Sequence, residues 1–162
     1  MHASVQTGAM ARQGAFPDDD PGEVVDVLER RVLRSGVGRL LRRIDGVVIG
    51  PFPDDAAARN STRGEVGNPQ VTISSPGLFA KKSTAFVVPP DGMTRDWARS
   101  RVVAAKLNAP EPRKSAGQYV YDFPLDTSAT QLVEFALGVL RALGAQPTNG
   151  RWAYCTTEPE GA

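Results

Sequence analysis

The stretch DTSATQLVEFALGVLRALGA, Asp126 to Ala145, decides the fold. Ser128 with Gln131 three residues later makes a capping box, in which hydroxyl and amide satisfy backbone donors that the first helical turn leaves unpaired. Thr127 is the alternative cap, one residue earlier. Leu132, Ala136, Val139 and Leu143 recur at helical spacing, and Val133, Phe135 and Leu140 widen the stripe into one broad apolar face. Gly144 supplies the left-handed stop and Pro147 prevents resumption. The spacing predicts a helix over 128–143 that must pack on a platform, and only the strand-like runs elsewhere in the chain can provide one.

Upstream, Gln118 to Phe123 (QYVYDF) alternates, with Tyr119, Tyr121 and Phe123 on one face and Val120 on the other. Gln70 to Ser74 (QVTIS) and Thr84 to Val88 (TAFVV) are rich in β-branched residues and read as strands, as do Val47 to Ile49 and, after the helix, Arg151 to Cys155. Asp20, Pro21 and Gly22 open a helix over 22–35, whose stripe is Val24, Val27, Leu28 and Val32 and whose charges run from acidic to basic along the helix dipole. GRLLRRIDG, before Val47, reads as a further helical turn, with a hairpin at Asp45-Gly46 as the alternative. Thr94 caps a helix over 95–107, because Ala98, Val102 and Ala105 share a face and Ala, Arg and Lys dominate; RVVAAKL as a strand is the competing reading.

Residues 1–20 show no period and are expected to be a disordered arm, and 157–162 a disordered tail, leaving one domain over 21–156. The segments 50–69 and 108–117 read as loops. The expected architecture is therefore α+β: a single-domain two-layer sandwich, with an antiparallel sheet of about 4–5 strands and the three helices packed on it. This element order resembles that of frataxin-like domains and of small secretion-chaperone-like or YbjN-like domains. AAKLN, a loop, QYVYDFPLD and the amphipathic helix resemble the second half of the latter over about a third of the chain. The resemblance is architectural, carried by no specific motif, and transfers no residue roles.

At 162 residues the chain suits one core, with 41% hydrophobic and 23% charged residues in the ordinary globular range. It contains no apolar run near the ~20 residues that span a bilayer, and its first residues lack the apolar core of a signal peptide. The expectation is a soluble, cytoplasmic protein with no membrane partner. Cys155 is the sole cysteine, which excludes an intramolecular disulfide and a cysteine-cluster metal site.

Catalytic signals are few. His2, the only histidine, stands in the patternless arm, which removes support for Ser-His or Cys-His catalysis and for histidine metal sites. Asp18-Asp19-Asp20 and Asp54-Asp55 lack the loop glycine and distal glutamate of a calcium loop. Gly36-Val37-Gly38-Arg39 lacks the third glycine and the lysine-threonine pair of a phosphate loop and fits a helix C-cap better. Cys155 reads as a small buried hydrophobe. No cofactor or metal is implied.

The net charge of +1 is unevenly spread: six arginines crowd 30–43, and Lys81, Lys82, Arg95, Arg99, Arg101, Lys106, Arg113 and Lys114 crowd 81–114, interleaved with Phe79, Phe86 and Trp97. Cations with aromatics suit a phosphate backbone with stacking surfaces, and these eight are the candidate binding residues. The same charges otherwise form a solvated rim around core aromatics. By elimination the leading expectation is a non-enzymatic accessory or protein-binding module, engaging a protein partner or its own copy through an uncovered sheet face or an apolar groove. Polyanion or nucleic-acid binding is second, and an enzyme acting through Arg, Asp, Glu or Tyr third. Cations gathered on one surface favour the polyanion; scattered, they favour a protein.

Overall fold

The computed structural model describes residues 13–32, 46–51, 68–74, 82–115 and 118–157. In chain order these form β1 (Gln13–Pro17), α1 (Gly22–Val27) continued by a π-helical turn (Leu28–Val32), β2 (Gly46–Gly50), β3 (Gln70–Ser74) and β4 (Lys82–Val88). Then come α2 (Arg95–Ala104), β5 (Arg113–Ser115), β6 (Gln118–Pro124), α3 (Ala129–Ala142) and β7 (Arg151–Thr157). The fold is α+β, and the strands make one antiparallel sheet in the order β1-β7-β2-β3-β4-β6-β5. That is seven strands among the described residues, where the sequence led us to expect four or five.

α3 carries the predicted capping box: Ser128 Oγ accepts from the Gln131 N–H at 3.1 Å and Gln131 Oε1 accepts from the Ser128 N–H at 3.0 Å. Its stripe is fully hidden, with Leu132, Ala136, Val139 and Leu140 at 0% exposure. Those side chains join one cluster with Val47 and Ile49, Val71 and Ile73, Tyr121 and Phe123, and Trp152 and Tyr154, so each strand presents alternate residues to the helices. Val48 and Cys155, one residue out of phase, form a second small cluster with Ala153. Val120 is likewise buried, at 1% exposure. The sheet face expected to be uncovered is therefore already closed at Val48, Val120 and Cys155.

Two strands were not anticipated. β1 falls within the expected disordered arm, yet it pairs along its length with β7, Phe16 opposite Trp152, and Phe16 is wholly buried. Gly14, on the same face, lies so close to Tyr154 and Glu23 that a Cβ would come within 2.8 Å of the Tyr154 hydroxyl, which donates to Glu23 Oε2 at 2.7 Å. Asp18, just beyond the strand, accepts from Trp152 Nε1 at 2.7 Å and from Arg141 of α3. β5 falls in the expected 108–117 loop and pairs only with β6. β7 runs to Thr157, past the expected boundary at 156, and α2 ends at Ala104 rather than 107. The expected helical turn before Val47, most of the 50–69 loop, the end of the first helix beyond Val32 and the tail past Thr157 lie outside the described residues.

Phe16→Ala should cost about 3–5 kcal/mol in urea unfolding, as for a buried aromatic; a loss below about 0.5 kcal/mol would mean that β1 adds nothing to the core. Asp18 provides a pH test. The Trp152 N–H first, and then Arg141, hold its carboxyl below the ordinary range, against an opposing contribution from burial. A depressed folded pKa stabilises above the unfolded value of about 3.9 and is lost as pH falls through the folded one. Asp18→Asn should therefore flatten the acid limb of the stability–pH curve; an unchanged limb would show that the carboxylate's charge is not what Trp152 and Arg141 hold.

Candidate functional site

α2 begins where Pro89-Pro90-Asp91-Gly92 ends β4, with Gly92 at φ +85 making the turn. Thr94 caps it, Oγ1 accepting from the Trp97 N–H at 3.1 Å. Only Ala98 and Val102 of this helix are buried. Trp97 and Val103 face outward at 60% and 55% exposure, whereas the chain's other tryptophan, Trp152, is at 0%. Trp97 stands beside Met93, and with Gly92 and Thr94 the two line a shallow depression.

The structure divides the eight candidate cations. Lys81 lies outside the described residues. Arg95, Arg99 and Lys114 come together: Arg95 and Arg99 line one cleft with Tyr119, while Lys114 is the cross-strand neighbour of Tyr119. The Arg99 guanidinium lies 5.4 Å from the Tyr119 ring centroid and 3.8 Å from Glu111 Oε2, and the Tyr119 hydroxyl donates to Asp96 Oδ1. The other described cations do not join this group. Arg101 Nε donates to the Ala142 carbonyl at the end of α3, at 2.8 Å, where a cation suits the helix dipole. Arg113 pairs with Asp122 across β5 and β6. Lys82 opens β4 opposite Pro124, roughly 20 Å along the strand from the α2 end. Lys106 follows α2 in a left-handed conformation, φ 53.

Sequence reasoning overlooked Tyr119, Tyr121, Asp96 and Glu111 as partners of these cations. The alternation of QYVYDF was the available signal, since it places Tyr119 and Tyr121 on the face that α2 covers. Trp97, read as one of several interleaved aromatics, is the exposed one; Phe86 is half-buried and Phe79 lies outside the described residues. Asp18 is engaged by Trp152 and Arg141. Cys155 is buried. Among the described residues no three His, Cys, Asp or Glu side chains gather as a metal-holding set, and no helix is long and apolar enough to cross a membrane. No protein-family model, curated protein or solved structure matches this chain.

Tyr119 and Tyr121 are both shifted upward: Tyr119 chiefly by its hydrogen bond to Asp96, and Tyr121 chiefly by burial, with Arg99 opposing and Glu111 adding. A raised folded pKa gives stability that is full below the unfolded value of about 10 and lost as pH rises through the folded one. Spectrophotometric titration should place both phenols above the ordinary range, and Asp96→Asn should bring one of them down. If Asp96→Asn left the titration unchanged, the Tyr119–Asp96 bond would not exist in solution.

Proposed function

We propose that this chain is a non-enzymatic binding module that engages a protein partner, or a second copy of itself, through the outer face of α2 with Trp97 as the anchor. The single observation that carries this reading is Trp97, 60% exposed on a capped helix beside Met93. Burying an aromatic of that size removes a large apolar area from water, which is why tryptophan is enriched among the residues that dominate interfaces. The dispersal of the cations supports the same side: Arg101 and Arg113 are taken by partners within the fold, leaving less charge for a phosphate backbone. In this reading the helices form one layer on the sheet, the domain is a two-layer sandwich, and the partner adds to the helical layer. A cytoplasmic setting goes with it, since the one cysteine is a buried thiol.

Convergence of Arg95, Arg99 and Lys114 near Tyr119 keeps polyanion binding as the second reading. One experiment separates the two. A photo-crosslinking residue at position 97 should trap a discrete protein or a second copy of the chain, and the same residue at the exposed Glu134 of α3 should not. Equal labelling at both positions would remove Trp97 as an anchor. DNA or RNA binding at about 50 mM salt, falling with a log–log slope of several units and flattened by Arg95→Ala with Arg99→Ala, would put the polyanion in front.

A further inference from the structure

Beyond Trp97, the other end of α2 borders a groove that the protein-binding reading does not use. Val102, Val103 and Leu107 form one wall and Ala109–Pro112 the other, with Tyr121 of β6 between them, enclosing about 140 Å³. The walls are held. Leu107 packs so closely on Gly138 of α3 that a Cβ there would stand 2.7 Å from Leu107 Cδ2. Pro110 and Pro112 fix the backbone of the strap at two of its four residues.

Tyr121 makes the groove more than an apolar crease. Its ring is pinned against Phe135 at 5.0 Å and the residue is 3% exposed, yet no group among the described residues bonds to its buried hydroxyl. A phenol taken out of water without a partner is costly to the fold, and a ligand oxygen would remove that cost. Burial pushes the Tyr121 phenol up, so it stays protonated and able to donate at neutral pH. The adjoining cleft, which shares Tyr121 and Val102 with the groove, brings in Arg99. Glu111 on the rim reaches Arg99 only at 3.8 Å, with its side chain 91% exposed. That contact shows where a carboxylate meets Arg99, and how loosely it is occupied.

We propose that this groove binds a compact apolar carboxylate, the carboxylate replacing Glu111 on the Arg99 guanidinium and accepting from the Tyr121 hydroxyl, the apolar group lying among Val102, Val103, Leu107 and Pro110. The charged residue that lines the groove itself is Glu111; with its carboxylate displaced into solvent, the remaining charges are the guanidiniums of Arg99 and Arg95 in the adjoining cleft, which favour an anion over an amine. The space suits one ring or one branched side chain, since cavities of ~150 Å³ take a benzene-sized group. Such a carboxylate occurs on free aryl or branched-chain acids and at the C-terminus of a peptide ending in a large apolar residue.

The test is titration of the full chain with phenylacetate, phenylacetamide and benzylamine, followed by amide chemical shifts and calorimetry. Phenylacetate should bind saturably, shift Val102, Val103 and Leu107, and outcompete the other two. Arg99→Gln should weaken it by about tenfold, the loss of one charged contact. Tyr121→Phe should weaken it severalfold while leaving the spectrum folded, and Glu111→Gln should tighten it by freeing Arg99. Acetyl-alanyl-phenylalanine, acid against amide, separates the sources: an acid that binds tighter than phenylacetate assigns a peptide C-terminus, and one that binds no better assigns the free acid. Equal binding of phenylacetamide, full affinity in Arg99→Gln or Tyr121→Phe, or no binding by any acid would overturn the proposal.

Discussion

Phe135 of α3 stands between Tyr121 and Phe123 of β6, its ring centroid 5.0 Å from each. The remaining elements are placed so that α3 can hold it there. Edge-on and tilted aromatic contacts of this kind add to the area they bury, and they fix the rotation of the helix about its own axis. With that rotation set, Leu132, Ala136, Val139 and Leu140 are directed into the strands' alternate side chains. The ends and the back of α3 then organise what surrounds it. Gly138 leaves room for Leu107, the Ala142 carbonyl accepts from Arg101 of α2, and Arg141 reaches Asp18 beyond β1. Elements that are distant in sequence are thus fastened to one helix.

On the second sheet face the apolar side chains of β2 and β7, neighbours in the strand order, are hidden. Val48 and Cys155 are cross-strand partners there and are both about 2% exposed, although they are out of phase with the residues that face the helices. Toward β4 the same face turns polar: Ser74 and Thr84, another cross-strand pair, meet hydroxyl to hydroxyl at 3.0 Å. Arg113 and Asp122 then close it off at the β5 edge with an ion pair. A long flat edge would invite another strand. Here one edge strand is three residues carrying two cations, and the other ends in proline.

Where local chemistry dominates, the sequence was legible. The capping box and stripe of α3, the alternation of β6, the β-branched run of β3 and the Thr94 cap of α2 each lie within one segment, and each was placed to within a few residues. β1 was not legible because QGAFP has the composition of a turn, and what makes it a strand is β7, more than a hundred residues away, with its pocket for Phe16. β5 was hidden by its three-residue length and by its neighbours Pro112 and Gly117. The site shows the same division. A basic segment could be seen, but not that Asp122 and the Ala142 carbonyl would arrive from elsewhere, and Glu111 from within it, to engage its arginines. Trp97 and Phe86 could not be told apart as exposed and half-buried until α2 had a rotation and β4 a register.

α2 is the element whose composition the fold explains least. α1 hides Val24 and Val27, and α3 hides eight side chains, so their sequences follow from the core they build. α2 hides only Ala98 and Val102 and gains correspondingly little from burial. It is fastened instead by polar contacts: the Thr94 cap, the bond from Tyr119 to Asp96, and Arg101 on the α3 carbonyl. A helix held by its ends and flank needs no tryptophan or valine on its outer side, yet Trp97 and Val103 are there, and the buried hydroxyl of Tyr121 lies beneath it without a partner among the described residues. Folding alone would favour a lysine or glutamate at 97 and 103 and a phenylalanine at 121. The three departures lie on or under one ten-residue helix, and they are the observations on which the two proposed binding roles rest.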